Sequence, residues 1–144
     1  MSVENLHGKS HDHWATPEWL MAAFIDWDDP CPMNGEFTGP ADNGLLKEWE
    51  YRSFVNPPYS NPEPWVDKAI SEAKFGKRVI MLLKVDPSTK WWLKLVEAGA
   101  HFAWFISDGT NSGRLAFSGA NKAAFPSVLV FLEAVEPSAQ RSAP

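Results

Sequence analysis

Apolar positions in this chain switch repeatedly between short continuous runs and helical spacing. Thr16-Pro17-Glu18 reads as a helix start, with a hydroxyl N-cap, proline at the first helical position and a carboxylate in the first turn. The helix predicted there buries Trp19, Leu20, Ala23 and Phe24. Phe24 to Asp28 reads as a short strand, halted by Asp29-Pro30-Cys31-Pro32. Gly, Pro, Asn and Asp then crowd the chain as far as Trp49, which marks a long loop of the kind usually given to function or disorder.

Arg52 to Val55 is a short apolar strand running into Asn56-Pro57-Pro58-Tyr59. A helix is predicted over 63–74, with Trp65, Ala69 and Ala73 on one face. Val79 to Leu83 is a continuous apolar run suited to a strand covered on both faces. A further helix spans about 88–98 and stops at Gly99. His101 to Ser107 and Pro126 to Glu133 read as strands, separated by a turn over 109–113. Strand, helix, strand, helix, strand is the order of crossover units on a parallel sheet. The expected fold class is therefore α/β, with about five strands in a mostly parallel sheet. Ligands bind such sheets beyond the carboxyl ends of the strands, where both Asp28-Asp29-Pro30 and Asn56-Pro57-Pro58-Tyr59 are placed.

Residues 1–13 are polar and read as a flexible arm, 14–135 as one domain, and 136–144 as a disordered tail. The arm's His7, His11 and His13 lack further ligands and read as solvated, so no metal is expected. The 144 residues suit a single domain, and 44 % hydrophobic with 22 % charged residues is an ordinary globular balance. Eight tryptophans and nine phenylalanines fill a core quickly and leave some rings to line a pocket for planar groups. A net charge of −5 excludes a strongly basic nucleic-acid binder but not an enzyme with a local basic rim. Cys31 is the single cysteine, so no internal disulfide can form, and the cytoplasm is the expected compartment. No apolar run is long enough to cross a bilayer and the start is no signal peptide, so no membrane partner is expected.

Asn56-Pro57-Pro58-Tyr59 carries the candidate chemistry. Two prolines fix both φ angles and remove two backbone donors, which leaves rigid acceptors without competing amide hydrogens. An amine on an aromatic ring needs such a site, because its lone pair is delocalised and nucleophilicity is poor. If the Asn56 side-chain oxygen and the Pro57 carbonyl each take one hydrogen, the nitrogen turns tetrahedral and its lone pair can meet a sulfonium methyl. Tyr59 offers a face for the base to stack on. Catalysis is then positioning plus preorganised dipoles. The same tetrapeptide also serves as a plain strand-to-helix turn; its place between an apolar strand and a helix favours the chemical reading.

In this setting the chain resembles the phage-type DNA N6-adenine methyltransferases (Dam-like), from Trp14 to Phe131. The likeness runs through Trp14-x-Thr16-Pro17-x-Trp19-Leu20, Asp28-x-Pro30-Cys31-Pro32-x-Asn34, Asp42-x-Gly44-Leu45, Phe54 to Ser60, Trp65-Val66-x-Lys68-Ala69, Gly113-Arg114-Leu115-x-Phe117 and Phe125 to Leu129. The resemblance implies a trimmed Rossmann-like methyltransferase fold that uses S-adenosylmethionine. It implies catalytic roles for Asn56, Pro57, Pro58 and Tyr59. It also implies cofactor contacts from Trp14, Thr16, Pro17, Asp28, Asp29, Pro30, Cys31 and Asp42, with Thr16 and Pro17 facing the methionine carboxylate. For the acidic residues, turn or capping roles stay open, and Trp14 reads as lid or core.

DNA is the implied partner, with adenine flipped from the stack and Tyr59, Arg114 and Lys122 as its contacts; ordinary surface charge is the other reading of the last two. The short stretch from Pro32 to Val55 cannot hold two further crossover strands, so one flank of the sheet should be missing or replaced by loop. No room remains for a separate recognition domain, which points site choice to the loops 109–114 and 118–122. Two departures from the family stand out. Asp29-Pro30-Cys31-Pro32 has no glycine, and Lys84-Val85-Asp86-Pro87-Ser88-Thr89 lacks the family's arginine, with Lys84 and Lys90 as alternative charges. Methylation of RNA adenine or a protein amide, and an inactive cofactor- or DNA-binding protein, remain the competing readings.

Overall fold

The computed structural model describes residues 15–32, 43–116 and 125–134. The arm, the tail, and the candidate residues Trp14, Asp42 and Lys122 lie outside them. The described chain runs α1 (Glu18–Ala23), β1 (Arg52–Val55), α2 (Glu63–Lys74), β2 (Arg78–Lys84), α3 (Lys90–Glu97), β3 (His101–Trp104) and β4 (Ser127–Glu133). The class is α/β. Its sheet has four strands in the order β1-β2-β4-β3.

Only one of the three pairings is parallel: β1 lies along β2 with Val55 opposite Met81, and α2 makes the crossover. β4 pairs antiparallel with both β2 and β3. This corrects the expected mostly parallel sheet of about five strands. The reason is burial. Val128, Leu129, Val130 and Leu132 of β4 are all buried, whereas no residue of β3 is. A strand with apolar side chains on both faces belongs inside a sheet, so β4 inserts between β2 and β3. Inserted there, it meets two antiparallel neighbours, while β3 still points the same way as β1 and β2. The carboxyl ends of these three strands therefore share one edge.

Beyond β1 the described sheet continues only as a single bridge, Asp28 to Ser53. The short strand expected over Phe24 to Asp28 is instead a turn, closed by Trp27 N–H on the Phe24 carbonyl at 3.0 Å.

Helices α2 and α3 cover one face of the sheet. Trp49, Val66, Ala69 and Leu95 pack there against Val55, Met81, Leu83, Val128 and Val130. Each large apolar side chain removed from water contributes about 1.5–3 kcal/mol, which makes this layer the main source of cohesion. α2 has the bounds expected of it and ends at Phe75, whose N–H donates to the Ser71 and Glu72 carbonyls. α3 begins two residues later than expected, because Thr89 takes the cap: its Oγ1 accepts the Trp92 N–H at 3.3 Å. It stops at Gly99, whose φ of 79° suits glycine.

The opposite face carries less. Leu20, Phe54, Ile80, Leu82, Leu115 and Leu129 form its core. Of the four residues expected to be buried by α1, only Leu20 is; Trp19 is 60 % exposed and Ala23 is exposed. A six-residue helix offers hardly more than one inward position. Trp19 instead sets its edge against Phe105, 6.1 Å between centroids.

Candidate active site

The shared carboxyl edge gathers most of the candidate residues. β1 delivers Asn56, which is 5 % exposed, and the chain then turns through Pro57, Pro58 and Tyr59 into α2. The Asn56 amide is held from a distance in sequence: its Nδ2–H donates to Thr16 Oγ1 at 3.1 Å. Spending one amide hydrogen on Thr16 decides the flip of the amide and turns Oδ1 the other way. That oxygen is buried. Pro57 is buried beside it, and Pro58 and Tyr59 are half-buried.

This corrects the role read for Thr16. It is not a helix N-cap, since the cap position of α1 is Pro17 and no side chain caps it. Its hydroxyl serves Asn56 instead. No local pattern could have shown this, because the pair is separated by 40 positions.

Tyr59 lies against Phe125, 4.9 Å between centroids and nearly edge-on. Burial pushes its phenol well above the usual range, and Ser127 draws it back in part. The ring therefore stays protonated and uncharged throughout the physiological range, as a stacking surface requires. Phe125 was absent from the candidate residues; it comes 66 positions after Tyr59 and reaches it through the β4 register, in which Ser127 stands opposite Lys84.

Asp28 to Pro32 approach the same edge alongside β1. Asp28 N–H donates to the Arg52 carbonyl and its own carbonyl accepts from Phe54 N–H, a parallel step that leads the next residues toward Asn56. Asp29 Oδ1 accepts the Cys31 N–H at 3.0 Å, so one of its oxygens shapes the loop. Pro30 is fully buried under Gly44: a Cβ on Gly44 would lie 1.9 Å from the Pro30 carbonyl oxygen. Glycine at position 44 thus lets that segment pack directly on the loop. Trp49 locks the segment by donating Nε1–H to the Gly44 carbonyl at 2.6 Å. The Cys31 side chain belongs to the core, with Trp49, Val55 and Trp65. Burial first, and then the charge of Asp29, push its thiol up to about 12. Cys31 can thus offer a ligand its backbone but no thiolate.

A family model described as DNA N-6-adenine-methyltransferase (Dam) matches residues 4–134. The chain belongs to the DNA N-6-adenine-methyltransferase (Dam) family. It is 40 % identical over 105 residues to the DNA N-6-adenine-methyltransferase of Haemophilus phage HP1 (strain HP1c1), covering 64 % of this chain and 61 % of that protein. It is 34 % identical over 127 residues to the protein of the same name from Escherichia phage T1, covering 74 % of this chain and 53 % of the relative. The chain thus spans little more than half the length of these curated relatives. No solved structure matches it.

The Dam-family loop after β3 carries Arg114. Asp108 organises the turn by accepting from Thr110 N–H, Asn111 N–H and the Asn111 side chain, which holds its carboxyl down at about 2. Gly113 then presses on the end of β3, where a Cβ would lie 2.3 Å from the Phe105 carbonyl oxygen. Leu115 plugs the second core and leaves Arg114 exposed beside the edge.

A cavity of about 200 Å³ opens beside the loop, lined by Tyr59, Ser60, Pro62, Leu83, Lys84, Asp86, Thr89 and Trp91. Asn56 and Pro57 do not line it. For S-adenosylmethionine, the fitting observation is Asp28: its Oδ2 is buried and has no hydrogen-bonding partner among the described residues. With Asp29 close by, the acceptors suit the cationic half of that cofactor. Among the described residues no cluster of metal-ligating side chains occurs and no helix is long and apolar enough to cross a membrane.

Proposed function

We propose that the chain transfers a methyl group from S-adenosylmethionine to the exocyclic amine of adenine in DNA. The observation that carries this reading is the Asn56 amide, pinned by Thr16 on its hydrogen side at the head of a loop whose next two residues carry no backbone N–H. Family membership and the names of the two phage relatives support the substrate.

When bound, the cofactor supplies an electrophilic methyl on a sulfonium. Asn56 Oδ1 and the Pro57 carbonyl accept the two amine hydrogens, and the adenine nitrogen directs its lone pair away from its own ring. That nitrogen would take the methyl as the carbon–sulfur bond breaks to leave a neutral thioether, and would then give up one proton to water, so no side chain need act as a strong base. Pro58 keeps the loop stiff, and Tyr59 supports the ring of the base. Thr16, Pro17, Asp28, Asp29, Pro30 and Cys31, with Trp14 and Asp42, are the proposed cofactor contacts. Arg114 and Lys122 are the proposed contacts to DNA. In a duplex the adenine must leave the stack to reach Asn56. Asn56 and Pro57 are buried in this structure, so the surrounding loops part when the base arrives.

Transfer of labelled methyl to DNA, RNA and protein, followed by mass spectrometry of the nucleosides, tests the reading. N6-methyladenine from DNA is the expected product. Label confined to RNA or protein, or cofactor binding with no product, would overturn it.

A further inference from the structure

The cavity beside Tyr59 has a composition that narrows its occupant. At about 200 Å³ it lies below the roughly 300–1,000 Å³ of pockets for whole drug-sized ligands, and so suits a single ring system. Tyr59 and Trp91 supply aromatic walls. Lys84 and Asp86 both border it, with Nζ and Oδ2 3.9 Å apart, too far for a direct hydrogen bond. An anion is disfavoured by the Asp86 carboxylate, and a hydrocarbon by both charges. A planar group with a donor and an acceptor side by side on its edge satisfies both.

The transferring amine does not sit there, since Asn56 and Pro57 lie outside the lining. The cavity lies at the carboxyl end of β2 and shares Tyr59 with the loop that follows β1.

Resting on the DNA reading above, we infer that this cavity receives the base next to the methylated adenine in the strand. Asp86 accepts from an amino or ring N–H on its edge, and Lys84 donates to the ring nitrogen or carbonyl beside it. The pocket thus favours any neighbour with such an edge over a position that lacks a base. Asp86 stays oriented for this by Ser88, whose Oγ–H donates to Oδ1 at 3.1 Å. Lys84 is held near the site by the Phe125 ring, 5.9 Å from its centroid. The charge lost with the family's arginine is supplied here by a lysine that works with a carboxylate.

Fluorescence anisotropy tests this with labelled single-stranded oligonucleotides containing one adenine. The neighbour on each side is varied among guanine, cytosine, thymine and an abasic residue. Wild-type protein is compared with Asp86→Asn and Lys84→Met, and methylation is measured in the same samples. Both side chains are partly exposed, and circular dichroism checks that each variant is folded. On one side of the adenine, guanine, cytosine or thymine is expected to bind about tenfold tighter than the abasic residue, and each variant to lose most of that preference. Equal binding to all neighbours, or a preference unchanged in both variants, overturns the inference even if adenine is methylated. Neighbour-dependent binding without methylation upholds the pocket and overturns the proposed reaction instead.

Discussion

Two strand-to-helix junctions lie side by side at one edge of the sheet, and they are built from opposite materials. The junction from β2 to α3 is closed by local bonds. Thr89 Oγ1 donates to the Asp86 carbonyl at 2.8 Å and accepts from Trp92 N–H, and Ser88 Oγ–H donates to Asp86 Oδ1. The junction from β1 to α2 contains Pro57, Pro58 and Pro62, and no side chain caps its helix. Its principal polar side chain, Asn56, is buried and tied to Thr16 far up the chain. One junction uses its hydrogen bonds to start a helix. The other forgoes that gain of about 1 kcal/mol, and its acceptors are the ones to which the proposed reaction assigns the substrate amine.

The sharpest way to break this contrast is Asn56→Ala. Turnover should fall by about 10²–10³-fold, as for loss of one preorganised transition-state contact. Stability should drop only by about one hydrogen bond, roughly 1 kcal/mol. Retained turnover in a methyl-transfer assay would remove the first junction's functional assignment. Thr16→Val comes next. It leaves the shape and deletes the acceptor, so the amide is free to flip; kcat should fall about tenfold on the scale of one hydrogen bond. Thr16→Ser should restore it, which a role in packing alone would not predict.

For the other junction, Thr89→Ala should cost about 1 kcal/mol, read as a fall of a few degrees in Tm. An unchanged Tm would show that its cap contributes nothing. The smallest effect at neutral pH concerns Cys31, beneath the first junction. Its thiol ionises near 9.0 when unfolded and near 12 in the fold, so its contribution is complete below pH 9 and is lost as pH rises toward 12. Denaturant titrations should show this alkaline loss reduced in Cys31→Ala, and a thiol reagent at pH 8 should label the native protein far more slowly than the unfolded one.

Elements with an unambiguous pattern were legible from the residues. α2 shows helical spacing over 12 residues, and Val79 to Leu83 reads as a covered strand and is one. The motif Asn56-Pro57-Pro58-Tyr59 was legible because proline chemistry is local: it acts on its own φ and its own missing N–H. α1 was misjudged in its burial, and Phe24 to Asp28 in its type. In both, short apolar stretches meet too few neighbours for their own preference to prevail.

What the linear order of residues settled was the α/β class, the central strands and helices, and the loop that carries the candidate chemistry. What only the folded chain decided was the place of β4 between β2 and β3, the contact of Phe125 with Tyr59, and the bond from Asn56 to Thr16. The division has a physical cause. Helical period, turn residues and proline geometry act over a few neighbouring positions, whereas strand order follows competition for burial among all strands. The direction of a buried amide likewise depends on whichever hydroxyl packing brings beside it.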